Sequence, residues 1–208
     1  MNMNEVIGAL FFAVFAANSV LIRSAGLDSA ERFSRDKQYL LYYSAIITAS
    51  ALAADMIAFT LLLYVLPAIG VNASTLLDGV VIVLSVLVSS VAIEAVIKYR
   101  LPAVLEKLGG EVFSVGYNSA VAGIVLLCRA ESTDFGKSII YCVIFSASVV
   151  IVYYLISIWR LDIKEHRLTD AFRGAPVLFL LMGLAAMVFQ GFVGMEIPED
   201  LLSFISNI

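Results

Sequence analysis

YLLYYSAIITASALAADMIAFTLLLYVL, residues Tyr39–Leu66, is a stretch of 28 residues that holds a single charged side chain, Asp55. About 20 consecutive apolar residues are enough to cross the hydrocarbon core of a bilayer. The whole chain agrees with this stretch, because 62% of its 208 residues are hydrophobic and only 14% are charged. A mean hydropathy of +0.99 excludes an ordinary soluble domain. The sequence therefore predicts an all-α integral membrane protein.

Five further apolar stretches accompany this one, and together they predict six transmembrane helices. In chain order the six stretches are Val6–Ile22, Tyr39–Leu66, Leu76–Ile97, Val112–Cys128, Ser138–Trp159 and Pro176–Met195. They occupy most of the chain and leave little sequence for a domain outside the bilayer. We therefore expect a single membrane domain over residues 1–208.

Positively charged residues lie on alternate connections between these stretches, and this pattern predicts the orientation. The connections after the first, third and fifth stretches carry Arg23, Arg32, Arg35, Lys37, Lys98, Arg100, Lys107, Arg160, Lys164, Arg167 and Arg173. Only Arg129 and Lys137 lie on the other side. Lys and Arg accumulate in short cytoplasmic loops of membrane proteins. We expect a multi-pass protein of a bacterial or archaeal cytoplasmic (inner) membrane, with both termini outside the cytoplasm.

The first and fourth stretches, of 17 residues each, are shorter than the other four, and polar or flexible residues interrupt them. Asn18 and Ser19 interrupt the first, and Gly116 to Ser119 interrupt the fourth. Short or broken helices at matching positions are typical of inverted repeats in transporters. The sequence thus predicts two inverted three-helix repeats, of residues 1–100 and 101–208. The repeated Asn-Ser pair is weak support by itself, because such a dipeptide arises easily by chance.

Asp55 is a candidate for the pathway of an ion, because an unpaired carboxylate at membrane depth costs several kcal/mol. The alternative is a structural hydrogen-bonding role in a polar cavity, which a stretch of 28 residues is long enough to allow. Glu94 and Lys98 are four residues apart, and the ordinary interpretation is an ion pair at the membrane boundary. Serines of the third and fifth stretches are interpreted as small residues that allow close helix packing.

The remaining chemistry-bearing residues form no recognisable catalytic motif, and we expect no catalytic residue in this chain. The only cysteines, Cys128 and Cys142, are 14 residues apart and lack the close spacing of a zinc or iron–sulfur motif. The spacing therefore predicts no metal site, and a pair of small buried hydrophobic residues is favoured over a disulfide. The basic loops are explained by membrane orientation, so no nucleic-acid partner is expected.

Four segments resemble the Rnf/Nqr family of membrane subunits. The first is TDAFRGAPVLFLLMGLAAMVFQGFVGM, residues Thr169–Met195, which is similar to the last cytoplasmic turn and sixth helix of that family. IEAVIKYRLPAVLEKLGG, which ends at Gly110, resembles the end of the third helix and its amphipathic connection. NSAVAGIVLL (Asn118–Leu127) and NSVLIRSAGL (Asn18–Leu27) are similar to the fourth half-helix and to the end of the first. The resemblance covers nearly the whole chain.

This resemblance implies a role in an ion-pumping redox complex. Termini outside the cytoplasm match the A subunit of Rnf complexes and the E subunit of the sodium-translocating NADH:quinone reductase. Such subunits pair with a sister membrane subunit of opposite topology and with other subunits of the complex. The two sisters share a [2Fe-2S] cluster near mid-membrane, while sodium ions or protons are moved across the bilayer.

The chain departs from the family at the positions of the cluster ligands. The family's Gly-Leu-Cys stands here as Gly-Leu-Asp, with Asp28 in place of the cysteine. Its Asn-Cys-Ala-Val stands here as Asn-Ser-Ala-Val, with Ser119 in place of the other. Cys128 and Cys142 align with neither position. A carboxylate and a hydroxyl are hard ligands that match the cluster poorly.

Three functions follow from these observations. The first is a non-catalytic transmembrane subunit of an Rnf/Nqr-type ion-translocating oxidoreductase that lacks its own [2Fe-2S] ligands. The second is a cluster-free inverted-repeat transporter of an ion or small solute, and the third is a structural membrane partner of a redox subunit. In the first two, the candidate ion pathway comprises Asp28, Asp55, Asn18 and Asn118.

The orientation can be tested with cysteines introduced one at a time at Gln38, Glu165 and Asn72. We expect a membrane-impermeant thiol reagent to label the first two only from the cytoplasmic face and the third only from outside. Labelling is compared in sealed vesicles of known orientation, before and after permeabilisation. Labelling of the Asn72 position from the cytoplasmic face would contradict the predicted orientation.

Overall fold

A computed structural model of the 208-residue chain describes residues 3–21, 25–26, 40–70, 75–108, 112–162, 169, 172 and 174–191. The regular elements in these ranges are helical. They are α1 (Met3–Phe11), α2 (Leu40–Thr60), α3 (Leu66–Ala68), α4 (Thr75–Arg100), α5 (Pro102–Lys107), α6 (Val112–Gly116), α7 (Ser119–Glu131), α8 (Phe135–Asp162) and α9 (Ala175–Gln190). Single π-helical turns follow α1 at Phe12–Ala16 and α2 at Leu61–Val65. The all-helical architecture agrees with the sequence prediction.

Four helical spans are long and apolar enough to cross a membrane. They are Leu40–Ala68, Leu77–Arg100, Val112–Glu131 and Phe135–Trp159, and two shorter apolar helices cover Val6–Phe15 and Ala175–Gln190. Together they coincide with the six apolar stretches of the sequence. The prediction of several membrane helices is thereby confirmed, whereas six crossings in two inverted repeats stay a prediction.

The outer and inner faces of α4 show why this helix belongs in a bilayer. Its exposed face is apolar and includes Val80, Leu84 and Val88, each at least half exposed. Its buried face carries serines whose hydroxyls donate hydrogen bonds to carbonyls of the same helix. These serines are Ser85, Ser89 and Ser90. An apolar outer face and small polar residues inside are typical of packing between membrane helices, which agrees with the predicted role of the serines.

The chain divides into two compact units that are interleaved in the sequence. One unit, Gln38–Ser146, holds α2 to α7 and the beginning of α8. In it α2 packs against α4, α6 and α7. The other unit combines Met1–Lys37 with Ala147–Ile208, and therefore holds α1, the remainder of α8 and α9. Within the first unit, α2 is the central helix of the packing around Asp55.

The second unit is held together by contacts between its two sequence segments. The rings of Phe15 and Phe189 stack with centroids 5.3 Å apart and join the turn after α1 to α9. The hydroxyl of Tyr153 donates a 2.9 Å hydrogen bond to the carbonyl of Gly26. An apolar cleft of about 340 Å³ between α8 and α9 is lined by Trp159 and by residues of α9 that include Leu181 and Phe189.

The π-helical turn after α2 has a local cause. Pro67 lacks a backbone N–H, and its ring would clash with the carbonyl four residues earlier in a regular α-helix. The widened turn at Leu61–Val65 lies just before it and changes the hydrogen-bond register. The second apolar stretch thus continues as helix to Ala68, two residues beyond the stretch read from the sequence.

Gly116, the last residue of α6, lies where three helices of the first unit come together. A methyl group in place of its hydrogen would lie 2.7 Å from Ser50 Oγ on α2 and 3.1 Å from Ser90 Oγ on α4. Both serines are buried. The close approach of α6 to its neighbours therefore depends on the missing side chain, as in other closely packed membrane helices.

Replacement of Gly116 by alanine should destabilise the protein by about 1–3 kcal/mol, because the added methyl overpacks the helix contact. Gly79→Ala is the matched control, since a Cβ at Gly79 meets nothing within 4 Å and alanine favours the helix by up to about 1 kcal/mol. Thermal unfolding in detergent gives the measurement. Equal midpoints for the two variants would show that the Gly116 contact is not tight.

Candidate functional site

Asn118 explains the interruption that the sequence predicts in the fourth stretch. α6 ends at Gly116, Asn118 adopts an extended backbone, and α7 begins at Ser119. The Oδ1 of Asn118 accepts the Val121 N–H at 3.0 Å, while its Nδ2 donates to the carbonyl of Val115 at 2.7 Å. A side chain in this position replaces the hydrogen bonds that a helix start leaves unmade. The fourth helix is therefore broken and capped on both sides by one residue.

Asn18 has a corresponding role at the end of the first helix. Its Oδ1 accepts the backbone N–H groups of Val20 at 2.9 Å and Leu21 at 3.2 Å, and its Nδ2 donates to the carbonyl of Ser148 at 3.3 Å. The residue is fully buried. Asn18 thus stabilises the backbone just after the first helix ends, and Asn118 does so at the break within the fourth. Their recurrence supports the repeat hypothesis more than the dipeptide alone.

Asp55 is one of the most buried charged residues in the part of the chain that the structure describes, with 1% of its surface exposed. It lies on α2, and its Oδ2 accepts a 2.8 Å hydrogen bond from the hydroxyl of Ser138 on α8. Among the described residues, its Oδ1 has no hydrogen-bond partner. One oxygen therefore serves the structural role that the sequence left open, and the other stays available to a cation or a proton.

Two cysteines lie beside this carboxylate. The ligand atoms of Asp55, Cys128 and Cys142 all lie within 4.8 Å of one another. Both cysteines are free thiols and fully buried. Their burial agrees with the prediction of small buried residues, whereas their spacing along the chain did not indicate that they meet at a carboxylate.

The helix geometry explains how these residues come together. Ser138 and Cys142 are four residues apart on α8 and therefore lie on one face of that helix. Cys128 lies near the end of α7, which a connection of three residues joins to α8. A short connection makes two helices antiparallel neighbours. The meeting of Cys128 and Cys142 could have been predicted from this hairpin, but the contribution of Asp55 from α2 could not.

Arg129 places a positive charge near this cluster. Its charge attracts Asp55, and its guanidinium carbon lies 5.2 Å from the centre of the Phe59 ring. The Phe59 ring in turn packs edge-on against Phe135 at 5.2 Å. The Nη1 of Arg129 is buried without a hydrogen-bond partner among the described residues. The site thus combines a carboxylate, two thiols and a guanidinium, and the guanidinium lies against the ring of Phe59.

The structure describes three of the other residues predicted from the sequence, Ser119, Glu94 and Lys98, but not Asp28. Ser119 is the first residue of α7 and is exposed. Asp28 lies outside the described residues. Glu94 is half-buried and Lys98 is exposed on the same helix, α4, and their ion pair stays a prediction.

Curated relatives share similarity with nearly the whole chain. The A subunit of the ion-translocating oxidoreductase complex of Vibrio campbellii is 27% identical over 193 residues, which is 93% of this chain and 99% of the relative. The corresponding protein of Vibrio cholerae strain N16961 is 26% identical over 93% of this chain and 98% of its own length.

A third relative gives a shorter match at higher identity. The A subunit of the same kind of complex in Azoarcus sp. is 31% identical over 103 residues, which is half of this chain and 53% of that protein. No family model matches the chain. The relatives confirm the resemblance that the sequence motifs indicated.

Proposed function

We propose that this chain, a homologue of the A subunits of ion-translocating oxidoreductase complexes, is itself a transmembrane component of such a complex. The observation that carries this proposal is similarity over 93% of the chain and 99% of one of these A subunits. A match of that extent includes the apolar helices and their connections rather than one local motif. The apolar spans support the same placement in a membrane.

The proposed subunit lies in the cytoplasmic membrane with both termini outside, as the loop charges predict. Its expected partners are a sister membrane subunit of opposite topology and the other subunits of the complex. The transported ion is a sodium ion or a proton. The chain has no catalytic residue of its own in this proposal and contributes structure and part of the ion pathway.

The [2Fe-2S] cluster of the family does not fit the residues at the corresponding positions of this chain. Thiolates are the usual ligands of such clusters, and Asp28 and Ser119 supply a carboxylate and a hydroxyl instead. Ser119 opens the helix that Asn118 caps, and its hydroxyl is a hard ligand that matches the cluster poorly. We therefore assign no cluster ligand to this chain.

Asp55 is the proposed cation-binding residue of the ion pathway. Its carboxylate is buried in the apolar helical span Leu40–Ala68 and keeps one oxygen without a hydrogen bond among the described residues. Such a carboxylate is stable only with a proton, a cation or another positive charge. Asp28 and the helix breaks at Asn18 and Asn118 complete the proposed pathway, because interrupted helices line ion sites in transporters.

Purification of the tagged chain from its native membrane with a mild detergent tests the assignment to a complex. We expect flavin-containing and iron-containing subunits to copurify in fixed proportion. A Ser119→Ala variant should retain the same iron content, since this chain supplies no cluster ligand. A chain that purifies alone would favour the transporter instead, and loss of iron in the variant would make Ser119 a ligand.

Asp55→Asn should lower ion movement by about tenfold or more, because the loss of a charge-assisted contact costs about 1.5–3 kcal/mol. The asparagine still accepts the Ser138 hydroxyl, so the amount of folded protein should change little. Asp78→Asn on α4 is the matched control for removal of a membrane carboxylate. The measurement is ion uptake by vesicles containing the complex, normalised to protein amount. Normal uptake by Asp55→Asn would leave Asp55 a structural residue.

A further inference from the structure

The geometry points to a binding site for a thiophilic divalent cation such as Zn²⁺, formed by Asp55, Cys128 and Cys142. Three helices contribute one ligand each, and the three ligand atoms lie within 4.8 Å of one another. The two cysteines are fully buried, and 1% of Asp55 is exposed. None of its three residues is at a cluster position of the family, since those positions correspond to Asp28 and Ser119.

The distances suit tetrahedral coordination after a small adjustment of side chains. Zinc bonds to cysteine sulfur at about 2.3 Å and to carboxylate oxygen at about 2.0–2.2 Å, so its ligand atoms are roughly 3.5–3.8 Å apart. A closure of about 1 Å from the present limit of 4.8 Å lies within the range of a cysteine or aspartate rotation. Three protein ligands leave the fourth position of the metal to a water molecule or to a hydroxyl.

The hydrogen bonds of the carboxylate favour this assignment. Ser138 Oγ donates to Asp55 Oδ2 at 2.8 Å, which fixes the orientation of the side chain. The other oxygen has no hydrogen-bond partner among the described residues. In metal sites a hydrogen-bonded neighbour commonly orients the ligand in this way. Asp55 Oδ1 is therefore the ligand atom, and Ser138 is the residue that positions it.

The ligand types select the class of metal. Cysteine sulfur is a soft donor that prefers Zn²⁺ and related metals, whereas sodium, magnesium and calcium prefer oxygen. Two sulfurs and one carboxylate oxygen give a mixed donor set that occurs in zinc sites. A hard monovalent cation can bind the carboxylate of Asp55, but the sulfurs of Cys128 and Cys142 add little to its affinity.

The charges of the loaded site balance within the protein. Two thiolates and a carboxylate carry three negative charges. A divalent cation neutralises two of these charges, so one negative charge is left. Arg129, whose charge attracts Asp55 and whose Nη1 is buried without a hydrogen-bond partner among the described residues, offsets the last. Binding converts two thiols to thiolates and releases two protons. A buried site with no net charge avoids a large desolvation cost.

The site is close to one end of the helix hairpin. Cys128 lies four residues before Ser132, which follows the last residue of α7, and this spacing is about 6 Å along a helix axis. Thr133 and Asp134 in the connection are exposed. We therefore expect a cation to enter from this end of the hairpin. If the proposed function holds, Zn²⁺ competes there with the transported ion for Asp55.

Metal binding by the purified full chain in detergent tests the proposal without any partner subunit. The chain is stripped with a chelator under reducing conditions and titrated with Zn²⁺ against a competing fluorescent chelator. We expect one Zn²⁺ per chain, together with protection of both thiols from alkylation that the chelator reverses. Co²⁺ in place of Zn²⁺ should give the visible absorption of a tetrahedral, thiolate-bound ion.

Variants then assign the ligands. Ser138→Ala should weaken Zn²⁺ binding by about 10–100-fold, as is typical when a residue that orients a ligand is removed. Cys128→Ser, Cys142→Ser and Asp55→Asn should each weaken it more. Ser146→Ala, a buried serine of the same helix, and Asp78→Asn are matched controls that should bind as the unaltered chain does.

Several results would overturn the proposal. These are thiols alkylated equally fast with and without Zn²⁺, a native chain in which Cys128 and Cys142 form a disulfide, and iron with sulfide in place of zinc at this site. Undiminished Zn²⁺ binding by the cysteine variants would do the same. Because ion uptake is measured on the complex and metal binding on the chain alone, failure of this site leaves the proposed function standing, and the reverse also holds.

Discussion

Every backbone polar group inside the bilayer has to find a partner within the protein, and the breaks in the helices of this chain depend on that constraint. Water is not available there to satisfy a free N–H or carbonyl, and each unsatisfied group costs several kcal/mol. Asn118 supplies both an acceptor and a donor at the break between α6 and α7. Asn18 does so at the end of the first helix. At each of these two places, one amide side chain therefore satisfies backbone groups that the helix end leaves without partners.

Close packing of small residues is the second condition of the fold. In a bilayer, helices gain little from burying apolar surface, since lipid is as apolar as a leucine side chain. Association then depends on van der Waals contact, which Gly116, Ser50 and Ser90 allow by bringing three helices close together. Ser50, one residue of this contact, lies on α2, the helix that also carries Asp55. Helix α2 thus contributes both to the close packing, through Ser50, and to the candidate site, through Asp55.

Much of the helical architecture could be predicted from the sequence because membrane helices need long apolar stretches. Four of the six stretches recur as helical spans long enough to cross a membrane and two as shorter apolar helices. The polar residues at 117–118 mark a real break. The role of Asp55 was left open by the sequence, since a stretch of 28 residues is longer than a span requires and can shift along the membrane normal. The partners of Asp55 could not be predicted, because they come from helices that only the fold brings together. Cys128 and Cys142 are distant from Asp55 in sequence, and no local pattern records a meeting of side chains across three helices.

The apolar cleft between α8 and α9 gives the chain a built-in optical reporter. Trp159 is the only tryptophan of the sequence, and it lines this cleft together with aliphatic residues of α9. Indole emission shifts to longer wavelength when its surroundings become more polar, so the fluorescence of this residue follows the packing of the unit that contains α1 and α9. The reporter therefore lies in the compact unit that does not hold Asp55 and the cysteines.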